Sequence, residues 1–289
     1  MPAAAFHSPR TIADAAALLA AEPGARVLAG GTDLIVQMQS GRLDPAAIID
    51  LKSIAGLAGV RAENGEFVIG AATRCTALKQ NAQLVAAWPG VVEAANLIGS
   101  VQVRNRASMG GNLCNASPAA DSVPALVAAG AVCRIVGPDG EREVPVFAVP
   151  LAPGRTSLAA GEIVAEIRLP AQPERGADAY LRSIPRTEMD IAVVGAAAHV
   201  VLDADGRCQS ARIAIGAAAP TVLLVEDAGA ARTGSAFDEP ALARMAEAVR
   251  AACNPIDDKR GTAEYRTAMA AVLARRVVEI ARRRAGEKK

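Results

Sequence analysis

Two glycine pairs carry most of the chemistry this sequence can do. Gly-Gly occurs in Leu28-Ala29-Gly30-Gly31-Thr32-Asp33 and again in Ser108-Met109-Gly110-Gly111-Asn112, each time in a loop that follows an apolar stretch. Successive residues without a Cβ can turn their backbone N–H groups toward one point. Such a concavity binds an oxyanion, usually phosphate, and the neighbouring Thr32 or Ser108 hydroxyl adds a donor. Two such loops suit a diphosphate bridge. The competing reading of each pair is a tight turn and nothing more. Neither segment is a P-loop, which needs Gly-Lys followed by Ser or Thr, and no G-x-G-x-x-G opens a helix.

Other candidates are weaker. Asp121, just after Ser117-Pro118, has the chemistry to accept hydrogen bonds from ribose hydroxyls or a ring N–H. Its other reading is a first-turn helix carboxylate favoured by the dipole. Arg182, Arg186, Glu188 and Asp190 cluster between apolar strands, either lining a cleft or simply solvated. His7 and His199 are the only histidines, so a histidine acid–base or metal site is not expected, and His199 reads as core. Cys75, Cys114, Cys133, Cys208 and Cys253 are dispersed without a C-x-x-C pair, which leaves no zinc or iron–sulfur ligand set within the chain. Cys114 reads as a small packing residue with nothing beside it to depress its pKa. No catalytic residue and no metal ligand is assigned.

The elements that must hold these residues are legible from pattern. Thr11 with Asp14 opens an amphipathic helix that Pro23-Gly24 ends. Arg26 to Ala29 reads as a buried strand, Leu34 to Gln39 as a helix stopped by Gly41, and Ala47 to Leu51 as a strand, the rhythm of a small α/β subdomain. A strand follows at Glu66 to Ala72 and a helix at Trp88 to Ser100, with Pro89 early in it. Val101 to Asn115 reads as irregular, and Ser117 to Gly130 as helix. Ala131 to Val136 and Arg142 to Val146 flank the hairpin turn Pro138-Asp139-Gly140, and Ile163 to Leu169 is a further strand. Pro173 and Gly176 mark a boundary. Beyond it, Ala179 to Arg182, Ile191 to Leu202 and Arg207 to Ala214 read as strands, the last two joined by Asp203-Ala204-Asp205-Gly206. Glu239 to Ala252 and Thr262 to Arg284 read as closing helices, the second with its arginines exposed.

Composition narrows the class. The 289 residues are 52% hydrophobic, enough for one large or two ordinary domains. Lys+Arg 31 against Asp+Glu 30 leaves a net charge of +1, so there is no electrostatic footprint for nucleic acid. One tryptophan, two tyrosines and four phenylalanines offer no stacking platform for single strands. The apolar runs fall short of the roughly 20 residues that span a bilayer, and Met1 to Arg10 lacks a secretion signal. The expected compartment is cytoplasmic.

Several of these residues also match a known pattern in order. Val27 to Leu34, Ile69-Gly70-Ala71-Ala72-Thr73, Arg104-Asn105, Ser108 to Leu113 and Ala116 to Asp121 resemble the flavoprotein subunit of the xanthine dehydrogenase family. Arg182 to Ala192, Ala263-Glu264-Tyr265-Arg266 and Leu273 to Arg276 are similar to that family's C-terminal domain. The resemblance implies an α+β fold. A two-subdomain FAD-binding domain of the vanillyl-alcohol-oxidase (PCMH) type would cover 1–172, divided into about 1–55 and 56–172. A C-terminal antiparallel sheet with helices would cover 173–289. It implies FAD contacts at Leu28, Ala29, Gly30, Gly31, Thr32, Asp33, Ser108, Met109, Gly110, Gly111, Asn112, Cys114, Asp121, Val164 and Arg182.

The implied function is electron transfer. Substrate would be hydroxylated in a molybdopterin large subunit, electrons would pass through [2Fe-2S] clusters in an iron–sulfur small subunit, and FAD would hand them to NAD, a quinone, a carrier protein or oxygen. The Ser183 to Met189 loop is where acceptors would differ, and the implied assembly is a dimer of heterotrimers. A stand-alone flavin oxidase or reductase and a non-catalytic assembly subunit are the other readings. The chain departs from the carbon monoxide dehydrogenase branch, which usually has His-Ser where Thr32-Asp33 stand and Asp in place of Asn112. It lacks the cysteine-rich insertion of the benzoyl-CoA reductase branch.

Overall fold

The computed structural model describes residues 4–288; residues 1–3 and 289, at the outer ends of the two expected domains, lie outside it. Thr11 caps the helix Ile12–Ala21 by accepting from the Asp14 amide, as the Thr-x-x-Asp spacing requires. That helix covers a three-stranded parallel sheet ordered Ala5–His7, Ala47–Asp50, Arg26–Leu28. The strand expected to be buried at Arg26 to Ala29 is therefore an edge: Arg26 is exposed and only Leu28 is buried. Ala5–His7, too short to show a pattern, was not legible beforehand.

A five-stranded antiparallel sheet follows, in the order Val60–Glu63, Glu66–Gly70, Ile163–Leu169, Val132–Gly137, Gly140–Pro145. Its hairpin turns at Pro138-Asp139 as expected. Ile163–Leu169 is central because five of its seven residues are apolar and it is buried at nearly every position. Its one buried charge, Glu166, is neutralised by Arg61 at 2.8 Å, Arg134 at 3.0 Å and Arg168 at 3.3 Å. Burial pushes the Glu166 carboxyl up, but the bonds from Arg134 and Arg61 outweigh it and leave it at about 2. A carboxylate depressed from 4.5 stabilises the fold above that pH and loses its contribution as pH falls through the folded value. Glu166→Gln is accordingly expected to cost about 2 kcal/mol in urea unfolding at pH 7 and next to nothing at pH 2.

The stretch Val101 to Asn115 is not irregular. Val101–Arg104 and Met109–Cys114 are two short helices, each begun by a serine, Ser100 and Ser108, that accepts an amide hydrogen bond. Met109 and Leu113, four apart and both buried, pin the second one to the core. The helix expected over Ser117 to Gly130 is confined to Ser122–Ala128, with Ala129 as its C-cap.

The last part is a four-stranded antiparallel sheet, Gly176–Ser183, Val194–Leu202, Cys208–Gly216 and the short Leu223–Leu224. Period-two alternation splits its side chains between two cores. The row Ala179, Ala198, Ile213 faces the helices Glu239–Ala252 and Ala263–Glu287. The row Tyr180, Ala197, Ala214 faces the helix Ser122–Ala128 and the core of the preceding part. Both faces being covered explains why Gly195 to Ala198 are so small. Ile191 to Val193 precede the strand rather than belonging to it, and Glu226–Ala230 is an additional helix. Arg266 departs from the expectation that the arginines of the last helix are exposed. It is buried, donating to the Val193 carbonyl at 2.6 Å and to Asp258 at 2.6 Å.

Candidate functional site

The first glycine pair sits at the C-terminal end of Arg26–Leu28, where the chain turns toward the helix Leu34–Gln39. The amides of Gly30, Gly31, Thr32 and Asp33 find no acceptor among the described residues, although the Gly31 and Asp33 carbonyls accept from Ile35 and Gln37. Four successive backbone donors without an acceptor among the described residues, with the half-buried Thr32 hydroxyl in the same run, suit an anion-binding concavity.

The second pair is corrected from loop to helix: Gly110 and Gly111 form the first turn of Met109–Cys114, and Gly111 donates to the Ser108 hydroxyl at 3.1 Å. Each pair packs closely on main chain from another segment. A Cβ on Gly30 would stand 2.1 Å from the Arg106 carbonyl oxygen, and one on Gly110 would stand 2.5 Å from the Ala71 carbonyl oxygen. Main chain therefore packs on main chain at both positions, Gly30 against the segment that leads into the second pair and Gly110 against the residue after Glu66–Gly70, which is the reason for glycine there. Gly111 is different. Its nearest neighbour would be the Ser108 hydroxyl at 3.3 Å, so protein packing does not demand a glycine there. The junction is fastened by Asn115, which donates to Asp33 at 3.2 Å and accepts from Gln37 at 3.0 Å.

From this junction the arrangement continues without a break. Asn112 accepts from both the amide (3.3 Å) and the hydroxyl (2.7 Å) of Ser122. Next to Ser122, Asp121 does not cap its helix; its carboxylate turns to the last sheet instead. The Tyr180 hydroxyl donates to Oδ1 at 2.9 Å, and Arg182 Nη1 donates to Oδ2 at 2.7 Å. Burial pushes the Asp121 carboxyl up, and Arg182 and Tyr180 pull it down. Of the charged cluster in the sequence, Arg182 turns inward, with its side chain 4% exposed; the exposed Arg186 pairs with the largely covered Asp190 at 3.2 Å.

Two of the residues implied as contacts also pack in the core. The Val164 side chain lies in the core. Cys114 packs against the same core, and burial pushes its thiol up to about 12. Tyr180 was not singled out from sequence. The signal was available: a lone tyrosine in an apolar alternation has a hydroxyl that must find a buried partner.

Among the described residues no group of three or more histidines, cysteines or acids is placed to hold a metal ion, and no helix is long and apolar enough to cross a membrane. Residues 2–172 match the family model for the FAD binding domain in molybdopterin dehydrogenase, and residues 179–281 match that for the CO dehydrogenase flavoprotein C-terminal domain. The chain belongs to this flavoprotein family.

Similarity runs through the whole length. The chain is 38% identical to the carbon monoxide dehydrogenase medium chain of Afipia carboxidovorans, over 97% of each protein. It is 34% identical to a putative xanthine dehydrogenase FAD-binding subunit of Escherichia coli, over 99% of this chain and 98% of that one. A crystal structure of the Cu,Mo-CO dehydrogenase superposes with a TM-score of 0.94 at 36% identity, covering 98% of this chain and 99% of that one. Quinoline 2-oxidoreductase from Pseudomonas putida 86 gives 0.90 at 26% identity, covering 98% of each. This is an FAD-binding subunit of a molybdenum hydroxylase of the CO/xanthine dehydrogenase type. The donor set fits its cofactor, because four free amides meet a diphosphate's charge and the buried Nε of Arg182 has no protein acceptor among the described residues.

Proposed function

We propose that this chain is the electron-transfer subunit of its complex, taking electrons from the [2Fe-2S] clusters of an iron–sulfur small subunit and passing them to an external acceptor. A molybdopterin large subunit would carry the substrate chemistry, in a cytoplasmic dimer of heterotrimers. FAD, when bound, supplies the two-electron redox centre. The residues of this chain bind and orient it and set the charge around it.

The observation that carries this reading is the set of unpaired amides at Gly30, Gly31, Thr32 and Asp33, packed against the segment that leads into Ser108 to Asn112. Leu28 and Ala29 support that loop. Met109 and Gly110 add first-turn amides that donate to no described residue. These groups are assigned to the diphosphate and adenosine end, and Asp121 and Arg182 to the polar edge of the ring system. Asn112 acts by holding Ser122, and Cys114 and Val164 by shaping the wall. The binding unit is assigned to 1–172, with parts about 1–55 and 56–172, and the second unit to 173–289.

The test is the visible spectrum of the chain purified alone and after co-expression with its chromosomal neighbours, with acid-released flavin identified. Acid-releasable FAD together with co-purifying iron–sulfur and molybdenum subunits is the expected result. A colourless chain that still assembles, or a yellow chain that turns over a substrate unaided, overturns the reading.

A further inference from the structure

We infer that Tyr180 is a positioning residue for the flavin site: by occupying one oxygen of Asp121 it keeps Arg182 from pairing with that carboxylate through two N–H groups, and so leaves a guanidinium N–H free to face the cofactor. The inference rests on the reading that Asp121 and Arg182 border the flavin.

Tyr180 and Arg182 stand two apart on Gly176–Ser183 and so share a face of the sheet. Their register partners on the next strand are Ala197 and Gly195. A Cβ at Gly195 would lie 2.7 Å from the Tyr180 hydroxyl oxygen, so the strand leaves room for that hydroxyl by having no side chain there. The ring itself is ordinary core, 3% exposed. What the hydroxyl adds to the ring is its bond to Asp121.

An arginine beside a carboxylate ordinarily pairs through two parallel N–H bonds. Here Tyr180 holds Oδ1 at 2.9 Å, and Arg182 reaches Oδ2 alone, at 2.7 Å, through Nη1 alone. Arg182 Nε is buried and has no acceptor among the described residues. A buried donor left unpaired costs free energy unless a ligand takes it. Arg182 is the one charged group that bears on Asp121, so the balance between these two ions and the hydroxyl is local.

Two substitutions separate the roles. In Tyr180→Phe the freed Oδ1 is available to a second Arg182 N–H, which withdraws the donor and neutralises the guanidinium more fully. The assembled complex is then expected to hold FAD about tenfold more weakly and to show a more negative flavin potential. A tenfold change in the two-electron equilibrium corresponds to about 30 mV. Asp121→Asn removes the counter-charge and is expected to move the potential in the opposite direction, and the double variant is expected to follow Asp121→Asn. FAD titration of the flavin-free complex and spectroelectrochemical titration of the loaded one provide the two readouts.

If Tyr180→Phe leaves both unchanged, or shifts the potential in the same direction as Asp121→Asn, the positioning role is wrong while the site assignment stands. If Arg182→Gln changes neither FAD affinity nor potential, the assignment beneath it fails, and this inference with it.

Discussion

Gly30→Ala is expected to yield a chain that folds poorly and retains almost no flavin. The added methyl would lie 2.1 Å from the Arg106 carbonyl oxygen and 2.6 Å from its carbon, both main-chain atoms that no rotamer change can move aside. Relief requires the first glycine loop to separate from the segment entering Ser108 by about an ångström, at an overpacking cost of about 2 to 3 kcal/mol. That shift also moves the amides of residues 30–33 relative to the segment that enters Ser108, so cofactor affinity is expected to fall beyond the stability loss. Gly111→Ala is the companion measurement. Its φ is not positive, its helical position tolerates alanine, and its nearest neighbour is a serine hydroxyl at 3.3 Å, so the melting temperature is expected to hold. FAD affinity is nevertheless expected to fall, because the methyl intrudes where the cofactor approaches the backbone. Unimpaired flavin content in both variants, measured by acid release per chain, would show that the junction is only a turn.

Asp178→Ala is expected to weaken the seam between the last sheet and the helix Pro89–Asn96 by about 3 kcal/mol at pH 5, and to give it a pH dependence that the native chain largely lacks. Asp178 is 2% exposed and accepts from the Gly90 amide at 3.0 Å and the Val91 amide at 2.8 Å, serving as the cap that this helix lacks from its own Trp88. Removing it leaves two buried amides unsatisfied, at roughly 1 to 3 kcal/mol each. Burial pushes the Asp178 carboxyl up to about 7 despite those two amides. A carboxyl raised from 3.8 stabilises the fold fully below that pH and loses its contribution as pH rises through 7.

Close by, His199 stacks on Trp88 at 5.0 Å and sets Nε2 2.7 Å from Gln172 Oε1. Burial holds its pKa down at about 4 against an ordinary 6.5. That contribution has the opposite slope, present above 6.5 and lost as pH falls through 4. Between those values the two slopes oppose each other in the native chain. Asp178→Ala leaves the histidine slope alone, so its melting temperature is expected to drop steeply on acidification where the native chain changes little. Parallel melting curves from pH 4 to 7 would show that Asp178 does not titrate with folding.

Much of the architecture was legible beforehand because it depends on local chemistry. The Thr11 cap, the Pro138-Asp139-Gly140 hairpin, the apolar strand Ile163–Leu169 and the helix Glu239–Ala252 follow from caps, turn residues and periodicity within a few neighbours. The glycine segments were found for the same reason: a missing Cβ is a local property. Met109–Cys114 was not legible, since one turn and a half containing two glycines has neither the length nor the propensity to register. It forms because Ser108 caps it and Met109 and Leu113 are buried.

What the sequence by itself determined is the list of donors and the α+β class. Tertiary structure alone decided where the polar residues of Gly176–Ser183 point. Asp178, Tyr180 and Arg182 alternate with Ala177, Ala179 and Leu181, a pattern that taken locally puts the charges in water. They face inward instead, Asp178 to the start of one helix and Tyr180 and Arg182 to the carboxylate that begins another. The reason is that this sheet is covered on both sides, so its polar face is buried against an earlier part of the chain whose unsatisfied helix ends and acid accept it. Periodicity within one strand holds no record of a partner lying some 60 to 90 residues away.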